Sequence, residues 1–435
     1  MGESTGRTIK WKEAIFVNKV MFILHTYSVG GAERRCVEIA NYLASKGNAV
    51  KVVLLDIDKM YSCRKGNDGL EIDIKLVDSP KTNIPVVKGV ELVYLLHSNE
   101  VFTSSQNITC IPYCGSNSDI SLEFSEKTSF EQRESICKQF EALKELYVDR
   151  IFNYVKDYPD YKVVSWMTFC NLSTAAALQK LPNQFAFVEC TAPTSEFDES
   201  SAYSHLKKML YPRADAGFFQ TEEIKNYYSF LNNTVKYVIP NPIRQTLPER
   251  YCGERKKYIV NFCRVEKPKN LSLLIEAFEL FRNEFPDYHL HIYGDGSERK
   301  SLESKVEQMH LKGTVSFFDF TTDVHRRVID YKMFVSSSDR EGLSNSMLEA
   351  MAIGLPTVCT DCQGGGAREV IINEKNGLLV PTNDKNSLAK AMMRIASSEK
   401  LCDSLSKEAT KVKKEYSIEK IGLMWHNAMD HNWSV

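Results

Sequence analysis

Residues 334–358 read FVSSSDREGLSNSMLEAMAIGLPTV and set a strand, a polar loop, a helix and a second strand in one compact unit. The apolar run at 333–336 suits a buried strand, 337–343 a loop, 345–353 a helix, and 357–359 the strand that follows. Both helix signals are present: Ser344 can accept from the first free N–H groups as N-cap, and Gly354 followed by Pro356 is a sharp stop. A helix that starts directly after a strand and a polar loop presents unpartnered N–H groups and the positive end of its dipole, so an anion is favoured there. Phosphate is the natural guest.

Two carboxylates bracket this unit, Glu341 in the loop and Glu349 in the helix, with seven residues between them. Glu349 stands between Leu348 and Ala350, on a helix that packs against a sheet, so its charge needs hydroxyl partners or a cation. The string EGLSNSMLEAMAIGLPTV resembles the E-x7-E signature of retaining glycosyltransferases of family 4, which have the GT-B fold. By that resemblance Glu341 would face the donor sugar and Glu349 would accept from the ribose hydroxyls. Gly342, Leu343, Ser344 and Asn345 would border the donor's sugar and phosphate.

Composition sets the outer limits. The 435 residues are too many for one ordinary core and suit two domains. With 43% hydrophobic and 26% charged residues and a formal net charge of −1, the chain reads as a globular protein without the basic footprint of a nucleic-acid binder. It has no apolar run of membrane-spanning length, and its first residues lack the apolar core of a secretory signal. A cytoplasmic protein is expected. The twelve cysteines are scattered, and the close pairs Cys110/Cys114 and Cys359/Cys362 have no matching second pair downstream, so structural thiols are expected and no zinc site.

Residues 20–25 (VMFILH) are a continuous apolar run, as in a parallel strand covered on both faces. Gly30 and Gly31 follow, then a helix with Ala32, Cys36, Ile39, Ala40 and Leu43 at helical spacing, then a second strand at 50–55. This βαβ opening lets backbone approach a ligand closely. The string GGAERR also resembles the N-terminal loop of the same family, which lies across the cleft from the donor phosphates. The triplet Asp56-Ile57-Asp58 is the pattern that holds a divalent metal in a different glycosyltransferase architecture. Residues 60–135 show no sustained period and read as an insertion of extra strands or a flap. A helical pattern returns at 128–158, with strands at 163–167 and 186–189, the latter running into Glu189-Cys190-Thr191-Ala192-Pro193, where the family often has a different sequence. The acceptor-side residues are therefore not assigned. Residues 206–210, with Lys207 and Lys208 among leucines and Met209, form a short basic amphipathic helix and the one candidate for contact with a membrane surface.

Pro240-Asn241-Pro242 can continue neither helix nor strand and marks the domain boundary. Strands and helices then alternate again, which predicts a second doubly wound sheet. Between its first strand and helix stand Arg264 and Lys269, a planar fork and a point charge suited to a diphosphate, in a register that resembles the family's phosphate-binding segment. Gly294-Asp295-Gly296 follows the next strand, but Arg299 stands where a dinucleotide fingerprint needs its third glycine, which argues against an NAD enzyme. Gly364-Gly365-Gly366 is a tight turn, and Glu369 is placed to cap the helix after it.

The expectation is thus an α/β, GT-B chain: two Rossmann-like doubly wound domains facing across a cleft, 1–240 on the acceptor side and 241–416 on the nucleotide-sugar side, with 417–435 returning to the first. The resemblance implies a retaining transfer of a hexosyl unit, from a UDP-sugar by preference, to a glycan or lipid-linked acceptor without metal. Glu341, Arg264 and Lys269 would be catalytic, and Gly30, Gly31, Gly294 and Glu349 would join them around the donor. A metal-dependent glycosyltransferase, a sugar phosphorylase and a non-catalytic nucleotide-sugar binder stay open on sequence alone.

Overall fold

The computed structural model describes residues 18–25, 31–55, 61–66, 69–74, 88–95, 108–111, 120–122, 129–190 and 202–433. Gly30, the Asp56-Ile57-Asp58 triplet, Cys114 and Thr191-Ala192-Pro193 lie outside the described residues.

The chain folds into two doubly wound parallel sheets. The strands of the first part are β1 Lys19–Leu24, β2 Ala49–Leu54, β3 Tyr61–Gly66, β4 Gly69–Ile74, β5 Val90–Leu95, β6 Ile108–Ile111, β7 Lys162–Trp166, β8 Phe185–Glu189, β9 Ala216–Phe219 and β10 Val235–Val238. Eight of them form one sheet in the order β10-β9-β8-β7-β1-β2-β5-β6, and β3 pairs with β4 as a separate antiparallel hairpin. The second part adds β11 Lys256–Phe262, β12 His289–Tyr293, β13 Val315–Phe318, β14 Tyr331–Ser336, β15 Thr357–Thr360 and β16 Leu378–Val380, ordered β13-β12-β11-β14-β15-β16. All pairings within both large sheets are parallel. The order reverses between β1 and β7 in one sheet and between β11 and β14 in the other, and ligands of such sheets bind at the carboxyl ends beside that reversal.

Burial explains why the strands read as unbroken apolar runs. Met21 and Ile23 face one core of the first sheet, while Val20, Phe22 and Leu24 face the other, all with no exposed surface. Part of the segment that lacked periodicity adds strands: β5 and β6 extend the first sheet in parallel. The predicted helix over 128–158 is interrupted. Phe130–Leu143 passes into a π-helical stretch, Lys144–Val148, before Asp149–Val155, and such insertions leave no trace in a 3.6-residue pattern.

The basic amphipathic helix, Ala202–Leu210, turns its apolar face inward. Leu206 and Leu210 are buried, and Lys207 is 6% exposed, its Nζ 3.3 Å from Glu189 and 3.1 Å from the Tyr228 hydroxyl. That leaves this helix no apolar face to lay on a membrane. Among the described residues no helix is long and apolar enough to cross one.

After β16 the chain returns to the first sheet through the helix Ile418–Asp430. Ile421, Trp425, Ala428, Met429 and Trp433 join the core of Phe22 and Val164. Trp425 stacks on Phe218 at 4.3 Å and on Trp166 at 5.5 Å, and Gly422 lets the helix approach so closely that an added Cβ would lie 2.4 Å from the Tyr42 ring. The first domain is therefore completed by the end of the chain. Trp425→Ala should lower stability by roughly 3–5 kcal/mol, the cost of truncating a buried aromatic. Urea denaturation followed by circular dichroism measures this, and a loss below about 1 kcal/mol would show that the returning helix is not part of that core.

Candidate active site

Strands β11 and β14 are neighbours, so the loops that leave their carboxyl ends meet. The loop after β11 carries Arg264 and Lys269, and the loop after β14 carries Glu341. Backbone and side chains stitch the two together: Asp339 N–H donates to Pro268 O at 3.0 Å, Ser337 Oγ donates to Asn270 O at 2.9 Å, and Asn270 Nδ2 donates to Asp339 at 2.7 Å. Asn270 sits in the left-handed region (φ 41°) and caps the helix Leu271–Arg282, which fixes the end of the Lys269 loop. Lys269 Nζ is ion-paired with Glu341 Oε2. Burial alone would lower the lysine's pKa, but the facing carboxylate outweighs it and holds the ammonium above its ordinary range. Arg264 is exposed and has no side-chain partner among the described residues. Gly294 stands against the start of this loop with φ 140°, and a Cβ there would lie 1.9 Å from Cys263 O, so its role is close approach of the two strand ends.

The helix predicted after the Glu341 loop is Asn345–Ala352, with the expected caps. Ser344 Oγ accepts from Met347 N–H at 3.3 Å, and Gly354 takes φ 75°. Glu349, 5% exposed, points from this helix into a cluster of cations. Its Oε1 accepts from Arg34 Nη2 at 2.8 Å and from Arg35 Nη2 at 3.1 Å, with Arg244 Nε 3.6 Å away, and its Oε2 accepts from His325 Nε2 at 2.9 Å. Burial pushes this carboxyl's pKa up, but the His325 bond and the charges of Arg34 and Arg35 overcome it and bring it down to about 2. The family resemblance set Glu349 to receive ribose hydroxyls. In the structure both of its oxygens are engaged by protein side chains, two of them arginines from the first domain.

The same helix start is where the domains touch. Asn345 Oδ1 accepts from Arg35 Nε at 3.3 Å and from Asn241 Nδ2 at 3.1 Å, and a Cβ added to Gly31 would lie 2.4 Å from Asn345 Nδ2. Leu343 N–H donates to Gln220 Oε1 at 3.1 Å, and a Cβ on Gly342 would lie 2.5 Å from Cys190 O, so Gly342 is required by contact with the end of β8. The glycine turn is also part of this seam. Gly364 N–H donates to Glu223 at 2.9 Å, Thr221 Oγ1 donates to Gly364 O at 2.7 Å, and Arg368 pairs with Glu223 at 2.7 Å. Glu369 does cap a helix, but not the one after the turn: its Oε1 accepts from Glu222 N–H at 2.6 Å, at the start of Glu222–Tyr227 in the first domain.

Three described donors at or near this seam, Arg34 Nε, Arg244 Nε and Arg340 Nε, are buried without a hydrogen-bond partner. Orphaned guanidinium donors fit an anionic ligand. A cavity of about 210 Å³, lined by Arg244, Thr246, Pro248, Thr322, Asp323, His325 and Arg326, opens beside Glu349. In the sequence the glycines of GGAERR stand out, whereas Arg34, Arg35, Asn241, Arg244 and His325 carry no local signal of a shared site. Arginines and histidines are common on surfaces, and the partner that Arg34, Arg35, Arg244 and His325 share, Glu349, lies 315 residues from Arg34. Among the described residues no cluster of His, Cys, Asp or Glu could hold a metal ion. Cys359 and Cys362 are buried thiols, and burial pushes Cys362 up to about 12.

The Glu349 cluster predicts a pH dependence. The folded pKa, about 2, lies below the ordinary 4.5, so the stabilisation is complete above pH 4.5 and is lost as pH falls toward 2. At about 1.4 kcal/mol per unit this is worth about 3 kcal/mol. The stability gap between wild type and Glu349→Gln, from urea titrations at stepped pH, should shrink across that window. A gap that does not change from pH 6 to pH 3 would contradict the ion pairing.

Residues 248–412 match the family model described as Glycosyl transferases group 1. The poly(ribitol-phosphate) alpha-N-acetylglucosaminyltransferase of Staphylococcus aureus is 30% identical over 240 residues, 53% of this chain and 48% of that protein. The putative glycosyltransferase EpsD of Bacillus subtilis is 29% identical over 187 residues, 42% of this chain and 49% of that protein. The aligned segments thus span about half the length of these curated relatives. In three dimensions the likeness covers nearly the whole chain. A TarM variant of S. aureus, in complex with fondaparinux, alpha-GlcNAc-glycerol and UDP, superposes with a TM-score of 0.68 over 95% of this chain and 100% of that one at 16% identity. Anabaena HepE in complex with UDP and glucose gives 0.67 over 95% and 99% at 15% identity. The chain has the GT-B fold, and residues 248–412 within its second domain match the family model of the group 1 glycosyl transferases.

Proposed function

We propose that the chain is a retaining glycosyltransferase that moves a hexosyl unit from a nucleotide diphosphate sugar, by preference a UDP-sugar, to a hydroxyl of a glycan or lipid-linked acceptor. The observation that carries this reading is the Lys269–Glu341 pair, set at the carboxyl ends of β11 and β14 beside a capped helix whose start meets the first domain's Gly31 and Arg35. Cation, carboxylate and helix N-terminus converge where a doubly wound sheet binds its ligand. The S. aureus relative is named for transfer to poly(ribitol-phosphate) and a Campylobacter jejuni relative for transfer to a diphospho-undecaprenol-linked glycan, and UDP is the nucleotide in both solved structures, which supports the donor and acceptor classes.

In this reading the diphosphate lies between the helix start and the Lys269 loop. Lys269 and the exposed Arg264 stabilise the charge that builds on the leaving phosphate. The bond between the anomeric carbon and the phosphate oxygen breaks, the acceptor oxygen bonds to the same face of that carbon, and the acceptor proton passes to the departing phosphate. Glu341, oriented by Lys269, faces the sugar. Ribose hydroxyls reach Glu349 by displacing Arg34, whose side chain is 23% exposed, while Arg35, with none, stays in place. The cavity beside Arg244 and His325 leaves room for the nucleoside. With cations and a helix end already at the diphosphate, no metal is needed.

A thermal-shift screen against UDP-, GDP- and ADP-sugars tests the donor. The cognate nucleotide at a hundredfold excess over its Kd should add about 2.7 kcal/mol of stability, and EDTA should change nothing. Lys269→Ala should lower turnover roughly 10²- to 10³-fold while donor affinity changes much less, because the contact strengthens as the leaving charge builds. Normal turnover in that variant would remove Lys269 from the chemistry, and an EDTA-sensitive transfer would favour the metal-dependent alternative.

A further inference from the structure

The acceptor side carried no assignment from the sequence, and the first sheet offers one at its own reversal point. Strand β7, next to β1, ends at Trp166 and turns directly into the helix Thr168–Ala177 through Met167. Met167 has φ 80° and ψ 146°, a conformation that suits glycine and strains any residue with a side chain. The surroundings hold it there. Its N–H donates to Val188 O, its carbonyl accepts from Asn171 N–H at 2.8 Å, and the Asn171 side chain bridges Ser165 Oγ at 2.7 Å and Val188 O at 2.9 Å. The effect is to turn two apolar side chains outward from an otherwise buried elbow. Met167 is 36% and Phe169 46% exposed, while Ser165, Trp166, Thr168 and Cys170 are all buried.

The position of this pair matters. The Trp166 indole N–H donates to Cys190 Sγ at 3.1 Å, and the Cys190 carbonyl is the group against which Gly342, the neighbour of Glu341, is packed. The elbow therefore stands at the carboxyl end of the first sheet, the end at which Cys190 meets the loop that carries Glu341. The Phe169 ring is braced edge-on by Tyr203, with centroids 5.3 Å apart and planes at 87°, and the Tyr203 hydroxyl reaches Gln139 Oε1 at 2.8 Å. An aromatic face with amide and hydroxyl groups at its rim matches a pyranose ring, which presents C–H bonds from one face and hydroxyls around its edge. An acyl chain has no use for that rim.

We infer that Met167 and Phe169 form the acceptor platform, Phe169 stacking against the apolar face of the acceptor sugar and the strained Met167 setting its position. This rests on the glycosyl-transfer reading. In the wild-type protein held with UDP, saturation-transfer NMR against methyl glucoside, methyl N-acetylglucosaminide, methyl galactoside and octyl glucoside should show transfer to ring protons of at least one sugar. Phe169→Ala should weaken that binding roughly fivefold or more, the scale of a lost stacking contact, and Phe169→Trp should restore it. Met167→Gly should weaken sugar binding without lowering the melting temperature, since glycine suits the backbone that methionine strains. No transfer to any sugar, transfer confined to the octyl chain, binding unchanged in Phe169→Ala, or unfolding of Met167→Gly would each overturn the assignment. Nucleotide thermal shifts on the same proteins separate the two readings. A lost shift in wild type would sink the functional reading itself, while a shift retained in variants that bind sugar normally would sink only the platform.

Discussion

A single buried carboxylate sets the conditions for the rest of the structure. Glu349 lies on a helix of the second domain, and removing its charge from water is tolerable only because Arg34, Arg35 and His325 bond to it and Arg244 stands nearby. Such a cluster is not a large net source of stability, because desolvation consumes most of the attraction. Its force lies in asymmetry: draw the domains apart and Glu349 loses both Arg34 and Arg35, which leaves charge inside without its main partners, at a cost of roughly 3–5 kcal/mol. The domains are thus held in one relative arrangement by a penalty for leaving it.

Much else at the cleft follows from that arrangement. With Arg35 committed to Glu349, its Nε reaches Asn345, Asn345 also accepts from Asn241 in the interdomain segment, and a Cβ on Gly31 would press on the Asn345 amide that these bonds hold. Gly342 answers to Cys190 in the same way, and Gly364 bonds through its backbone to Thr221 and Glu223. The residues that border the proposed diphosphate site are also the residues of the seam between domains. A ligand that bonds to the helix start or to Glu349 must change the contacts that hold the domains, and only such a difference in contacts lets binding shift a conformational equilibrium.

What could be read in advance was what depends on local pattern. The alternation of strands and helices after Pro242 foretold the second parallel sheet, because each strand and each crossover helix leaves its own period in the sequence. The helix at Asn345–Ala352 was legible from Ser344 and Gly354, whose roles are set within a few residues of chain. What escaped depends on distance. Nothing near Glu369 says that it caps a helix at Glu222, nothing near Lys207 says that its ammonium turns inward to Glu189, and the π-helical stretch Lys144–Val148 follows from packing rather than period. The arginines of GGAERR were visible as charges, but their meaning lay in a carboxylate on the opposite domain.

The claim that Glu349 joins the two domains is tested most directly by a double-mutant cycle between Arg35→Met and Glu349→Gln, read as unfolding free energies in urea at neutral pH. If the pair spans the seam as described, the double variant should lose less than the sum of the single losses, with a coupling of about 1–3 kcal/mol. Losses that add to within about 0.5 kcal/mol would mean that the two side chains do not depend on each other, and that something else holds the domains together.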